Sequence, residues 1–555
     1  MARNKLLHKS YYLPFLLVSL LTGTPLLAQE GQYMVFFSDK DGTTFSISQP
    51  ETFLSPRAVA RREKFDIPIT ESDFPVNESY VSQLKDLGVE VFYRTRWMNG
   101  VLAQMSIEEL QQVAQLPFVI GSELVKPKAR NSRRKKSGSS VGTSKKLSKG
   151  VGQVNQPRNN FQNDMLGIDE MHADGYMGEG MLVAVFDGGF RGVDTVSFFS
   201  HIFEQNRMLP GYDFVGMNDN VYRYGQHGTE ALSCIGAYKE GEIEAGAYGA
   251  DFMLCVTEDV TSEYRIEEYN WLFAAEYADS TGADVISTSL GYTTFNDSGM
   301  DYLYEDLDGE TAAITRALNL ASEKGILCVV SAGNEGNGNW RYVSPPADAA
   351  DMLAVGAVST GRNKASFSSF GPTADGRIKP DVSALGLQTV VVDASGDISR
   401  SNGTSFAAPL IAGFATSVWQ AFPNDTHLEI IEKIRRSGDK ALTPDNETGY
   451  GIPDYNLIKQ ERILPVNTSR QSHDFKIYPN PVERSDIFIE PTDGLLQAPL
   501  EISMYSPAGG LVMTKVFEGF SRNSLTLDTS MLAPGIYILR VSTPSVSDTL
   551  KIVKF

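Results

Sequence analysis

Four short stretches of this sequence carry side chains able to attack a carbonyl and move its protons. Asp187 ends the apolar run Met181-Leu182-Val183-Ala184-Val185-Phe186 and precedes Gly188-Gly189. His227 opens His227-Gly228-Thr229-Glu230, just ahead of a second apolar stretch. Asn334 lies in Ser331-Ala332-Gly333-Asn334-Glu335-Gly336, after apolar residues 325–330. Ser405 sits in Gly403-Thr404-Ser405-Phe406-Ala407-Ala408-Pro409 and runs into an apolar helix. These are the parts acyl transfer needs. Ser405 would be the nucleophile and His227 the general base. Asp187 would hold the imidazole and stabilise its cation, and the Asn334 amide would donate to the oxyanion beside the Ser405 N–H. Each stretch alone has a plainer reading as a cap, turn or loop; the set of four is what carries the argument.

The elements around them must bring the four together. An Asp at the end of a buried strand, a His at a helix mouth and an Asn after another buried strand belong at the carboxyl edge of one parallel sheet. Helices expected over 266–278 and 311–324 alternate with strand-length apolar runs, so the sheet should be covered on both faces. The small residue Gly403 permits a tight approach into the serine helix, whose N-terminus favours negative charge, and Pro409 is expected in its first turn.

The order Asp, His, Asn, Ser and the motifs around it resemble the subtilases, the subtilisin-like serine peptidases, over roughly residues 160–460. The resemblance implies a triad of Asp187, His227 and Ser405, with Asn334 as oxyanion donor. It also implies that Ser289, Leu290 and Gly291, after the strand at 284–288, form an edge along which substrate pairs as an added strand. Two positions depart from the family pattern: Glu230 stands where a second His is usual, and Gly188 where Thr or Ser is usual. Both are read as tuning.

The flanks suit a secreted enzyme. Residues 1–28 have a basic start, a short apolar core and small residues, the pattern of a secretory signal peptide. Residues 29–125 read as strand, helix, strand, strand, helix, strand, a split βαβ (ferredoxin-like α+β) unit with an insertion after its first strand and a capping box at Ser106-Ile107-Glu108-Glu109. Placed there, it resembles a subtilase propeptide, an intramolecular inhibitor; a retained binding domain is the alternative. Residues 126–155 are basic and low in apolar content, hence a disordered linker suited to processing. The catalytic domain is expected over 156–460 and a linker over 461–474. Residues 475–555 alternate like a small β-sandwich and resemble the C-terminal sorting domain of type IX secretion in the Bacteroidetes, implying that export machinery as a partner and a secreted or surface location.

The remaining composition narrows the chemistry. Three cysteines, Cys234, Cys255 and Cys328, each fall in an expected buried element, which argues against a disulfide scaffold. A net charge of −19 and a basic stretch without interleaved aromatics argue against nucleic acid. An acidic insertion containing Asp306, Asp308 and Glu310 offers oxygen ligands for calcium, but its spacing is not that of an EF-hand and a solvated loop is the leading reading. No soluble cofactor is required. The expected function is a secreted serine endopeptidase acting on proteins or peptides and made as an inhibited precursor; the competing reading is an inactive surface adhesin on the same fold.

Overall fold

The protein is described by a computed structural model covering residues 30–128, 145–146 and 157–463 and, in the C-terminal part, 475–478, 482, 486–491, 500–506, 510–517, 525–533, 535–542 and 547–554. The expected signal peptide and most of the basic linker lie outside the described residues.

The N-terminal module contains β1 (Gly31–Phe37), α1 (Pro56–Lys64), α2 (Glu78–Asp86), β2 (Glu90–Thr95), β3 (Gly100–Met105), α3 (Ile107–Val113) and β4 (Val119–Pro127). Its antiparallel sheet has the order β2-β3-β1-β4, the arrangement expected of a split βαβ unit, and α1 lies in the insertion after β1. The capping box forms as read: Ser106 Oγ accepts from the Glu109 N–H at 3.2 Å, and Glu109 Oε2 from the Ser106 N–H at 2.7 Å. The start of the expected linker is corrected, and a short strand lies within it. Lys126 and Pro127 extend β4 opposite Gln32 and Gly31, because the ladder with β1 continues that far. Lys145 and Lys146 pair with Arg400 and Ser399 as a two-residue strand.

The central part is built on seven parallel strands: β5 (Leu182–Asp187), β6 (Tyr212–Asp213), β7 (Asp251–Val256), β8 (Val285–Thr288), β9 (Leu327–Ser331), β10 (Leu353–Val358) and β11 (Val382–Leu385). Their order is β11-β10-β9-β8-β5-β7-β6. β5 sits between β7 and β8, so the chain departs from it in both directions and leaves a crevice beyond its carboxyl end. Alternate side chains of each strand serve opposite faces. Val183, Val185 and Leu254 pack with helices α4 (His227–Gly236) and α7 (Thr404–Ala421). Ala184, Phe186 and Met253 pack with α5 (Ile266–Thr281) and α6 (Ala313–Glu323), where Trp97 and Leu102 of the N-terminal module join the same core. The helices therefore cover both faces, as expected. All three cysteines are free and buried. Among the described residues no helix is long and apolar enough to cross a membrane.

The C-terminal unit has its own core around Phe475, Ile487, Ile502, Leu527 and Val541. One sheet holds Phe475–Tyr478, Asp486–Pro491 and Leu525–Asp528; the other holds Leu511–Phe517, Leu500–Tyr505, Gly535–Ser542 and Ser547–Lys554. Inward and outward residues alternate along Leu525–Asp528, the pattern a sandwich requires.

Candidate active site

Asp187 is the last residue of β5 and is 1% exposed. His227 is the first residue of α4, and Gly228 explains how the two approach. A Cβ on Gly228 would lie 2.9 Å from the Asp187 Cβ and 2.5 Å from the Gly189 carbonyl oxygen, so only glycine lets the helix mouth reach the strand end. The imidazole Nδ1 stands 2.9 Å from each carboxylate oxygen of Asp187. Donation of the Nδ1–H to the carboxylate fixes the tautomer and leaves the Nε2 lone pair to take a proton. The ring also packs against Phe406, the neighbour of Ser405, with centroids 5.6 Å apart.

Ser405 is the second residue of α7. Gly403 precedes the helix at φ 154°, and an added Cβ would meet nothing closer than 3.6 Å. Backbone conformation, not crowding, is what calls for glycine there. The expectation for Pro409 is corrected. It is the sixth residue of the helix, beyond the first turn, and lacks the N–H that would bond to the carbonyl four residues earlier, which is that of Ser405. Ser289 supplies the missing donor: its Oγ donates to the Ser405 carbonyl at 2.8 Å. In return the Ser405 hydroxyl donates to the Ser289 carbonyl at 3.4 Å, and among the described residues no hydrogen bond joins it to His227 in this resting arrangement.

Asn334 follows β9. Its Oδ1 accepts from the Thr404 N–H at 2.9 Å and from the Thr404 Oγ at 3.0 Å. Those two bonds hold the amide in one orientation and leave the Nδ2 hydrogens as donors beside the start of α7. Ser289, Leu290 and Gly291 follow β8. Ser289 and Leu290 are buried, Gly291 is exposed, and the next main-chain anchor is the Tyr292 N–H on the Pro345 carbonyl at 3.0 Å.

The two unusual positions acquire physical roles. Glu230 is buried; its carboxylate accepts from Ser401 Oγ at 3.0 Å and Gln226 Nε2 at 2.8 Å, tying the start of α4 to the strand Ile398–Ser401, and burial raises its pKa. At Gly188 a Cβ would meet the Val260 side chain at 2.9 Å and the Glu258 carboxylate at 3.4 Å. The loop after β7 thus occupies the space a Thr or Ser side chain would take. Burial pushes the His227 pKa down, but Asp187, with Glu258 and Glu230 behind it, holds it above the ordinary imidazole range. A base works only when neutral, so a raised pKa moves the acid limb of kcat/KM to higher pH. Glu258→Gln removes one of the raising charges, and its limb is expected at lower pH than wild type in a pH profile taken with an uncharged peptide.

The acidic insertion does not gather its carboxylates. Asp306 accepts from the Leu303 N–H at 2.7 Å, and Asp308 from the Glu310 and Thr311 N–H groups at 2.8 and 2.7 Å, so they cap their own loop. Among the described residues the acidic side chains that do converge are Glu258, Glu263 and Glu267, on and just before the first turn of α5. That cluster went unread in the sequence because its members are spread over ten residues and mixed with helix-start signals.

Profiles of three families match the chain. The subtilase family covers residues 178–451, the Peptidase S8 propeptide domain of Bacteroidota covers 32–140, and the secretion system C-terminal sorting domain covers 476–554. The last marks the protein for export, to the cell surface or beyond it. Subtilisin of Bacillus pumilus is 30% identical over 269 residues, 48% of this chain and 86% of its own. Subtilisin NAT of Bacillus subtilis subsp. natto is 30% identical over 267 residues, and the match spans 62% of that protein. In three dimensions the chain is similar to the crystal structure of the epidermin leader peptide processing serine protease from Staphylococcus aureus. That likeness covers 78% of this chain and 99% of that one, with a TM-score of 0.53 and 15% identity, and it speaks to the fold alone. With these matches falling on the stretches that carry Asp187, His227, Asn334 and Ser405, the chain belongs to the subtilase family of serine-type endopeptidases.

Proposed function

We propose that this chain is an exported serine endopeptidase, held inactive by its N-terminal module, that hydrolyses peptide bonds through Ser405, His227 and Asp187. The observation that carries the reading is the double contact of His227 Nδ1 with Asp187 at 2.9 Å, made beside a serine at the N-terminus of a buried helix. Ser405 Oγ turns from the Ser289 carbonyl to His227 Nε2, loses its proton there and attacks the substrate carbonyl. The oxyanion is met by the Asn334 Nδ2–H and the Ser405 N–H. His227 returns the proton to the departing amine, the C–N bond breaks, and an acyl-enzyme remains. A water deprotonated by His227 then releases the acid and restores the serine. Only the chain's own groups and water enter the scheme. A binding-only role on the same fold has no observation in its favour, since the relatives named above are peptidases.

The test is covalent labelling of the processed protein by a fluorophosphonate, with peptide hydrolysis measured in parallel. A processed wild-type protein that takes no label and cuts no peptide ends the proposal. Asn334→Ala should lower kcat by about 10²–10³-fold with little change in KM, the pattern of a donor engaged mainly in the transition state.

A further inference from the structure

A carboxylate in the first turn of a helix has an ordinary use, as a partner for the free N–H groups there. Glu230, in the first turn of α4 and 4% exposed, is not used that way. Its Oε1 accepts from the side-chain amide of Gln226, the residue before His227, at 2.8 Å, and its Oε2 from the Ser401 hydroxyl at 3.0 Å. Among the described residues neither oxygen meets a main-chain N–H. Both partners are donors, and a carboxylate can accept from the two at once. A neutral imidazole, the usual side chain at this position, has one acceptor nitrogen and could not.

The two partners belong to different halves of the reacting centre. Gln226 leads directly into the base. Ser401 is fully buried and ends the strand Ile398–Ser401, two residues before Gly403 and four before Ser405. The main chain of Glu230 makes the same connection again. Its carbonyl accepts from Ser233 Oγ at 2.6 Å, and that oxygen accepts from the Val392 N–H at 2.9 Å, on the strand Thr389–Val392 that pairs with Ile398–Ser401. Beyond Ser401 the chain has little slack. Asn402 Oδ1 accepts from the Gln388 N–H at 2.8 Å, and the Gly403 N–H donates to the Gly386 carbonyl at 2.9 Å. A shift of Ser401 is therefore passed along to the start of α7.

We propose that Glu230 is a positioning residue: by bridging Gln226 and Ser401 it sets the distance between the His227 imidazole and the Ser405 hydroxyl, across which the proton must pass. This rests on the peptidase reading above and deepens it. The bridge lies behind the reacting groups and touches no substrate, so it acts on the chemical step and not on binding. The Glu230 charge also reaches His227, and the experiment has to separate that charge from the bridge.

Processed wild type, Glu230→Ala and Glu230→Gln are compared in peptide hydrolysis and in fluorophosphonate labelling, where the final amount of label counts the folded sites. Glu230→Ala should keep KM within about twofold and lose roughly 10- to 100-fold in kcat per labelled site, the size expected when reacting groups are displaced by up to about 1 Å. Glu230→Gln keeps an oxygen for one partner and an N–H for the other, so it preserves the bridge without the charge and should recover most of that loss. Adding Ser401→Ala to Glu230→Ala should cost no more than about twofold further, because the bond is already gone. If Glu230→Ala does not fold, Gln226→Ala and Ser401→Ala each remove one bond and should each lower kcat per site by about threefold or more; wild-type kcat per site in both overturns the proposal. So does a Glu230→Ala protein whose loss lies wholly in the amount of label, since the side chain then only supports the fold. A Glu230→Gln protein as slow as Glu230→Ala overturns it as well, since the charge would then be what matters. Each of these outcomes, with a wild type that labels and cuts, leaves the peptidase reading standing. A wild type that does neither overturns both.

Discussion

Processed Ser405→Ala protein is expected to take no fluorophosphonate label and to lose about 10⁶-fold in kcat on any peptide, the loss known for triad serines in this family. The structure makes this a clean comparison. Ser405 is 8% exposed, and the helix that carries it is held by contacts that do not pass through its Oγ: the Ser289 hydroxyl on the Ser405 carbonyl and the Thr404 bonds to Asn334. The single bond the substitution removes is the long one to the Ser289 carbonyl, at 3.4 Å. Thermal unfolding should therefore move little while labelling vanishes. Retention of more than a trace of hydrolysis in a preparation free of wild type would mean that another residue is the nucleophile. Ser289→Ala makes an informative partner. It deprives the Ser405 carbonyl of its donor where Pro409 cannot help, so it should lower kcat while fluorophosphonate still reacts, more slowly.

How much of this was readable beforehand depends on the range of each interaction. Asp187, His227, Asn334 and Ser405 were legible because each lies on a short local pattern, a buried strand end or a helix mouth, and a parallel sheet necessarily collects such ends on one side. The helix starting at Ser106 was legible for the same reason, since its capping box is contained in four residues. Pro409 was misplaced by one turn because the start of a helix cannot be fixed to the residue by sequence. Its compensation by Ser289 joins positions 116 residues apart, and nothing local announces it. The acidic residues show the same limit. Asp306, Asp308 and Glu310 are close in sequence yet satisfy their own loop, whereas Glu258, Glu263 and Glu267 converge because the turn into α5 folds them together. Density of charge along a chain does not report convergence in space. The N-terminal module was legible as a fold, but not the means by which it grips its neighbour, since that depends on which side chains face across an interface.

That grip yields the second large effect. Asp279, on α5, is fully buried and receives guanidinium N–H groups from three arginines of the N-terminal module: Arg61 and Arg62 of α1, and Arg96 just after β2. Arg62 also reaches Asp73 at 3.2 Å, and Asp73 pairs with Lys324 at 3.2 Å. Four cations thus face Asp279, Asp73 and Glu276, and several arginine N–H groups, Nε of Arg61, Arg62 and Arg96 among them, have no acceptor within the described residues. A cluster so incompletely satisfied adds little net stability, because desolvation offsets the attraction. Removing one of its anions, however, strands buried cations and costs about 3–5 kcal/mol. Asp279→Asn should therefore destabilise the precursor by roughly that amount, measured by urea unfolding in a Ser405→Ala background so that self-cleavage cannot intervene. Once the N-terminal module is gone, Asp279 faces water and no arginines, so the same substitution should change the processed enzyme by about 1 kcal/mol or less. The contrast between the two forms is the test. If Asp279→Asn shifts both equally, the aspartate supports the catalytic core and not the interface. If only the precursor yields, the cluster is the latch that holds the module in place, and it releases when the processed module leaves because its charges are then solvated separately.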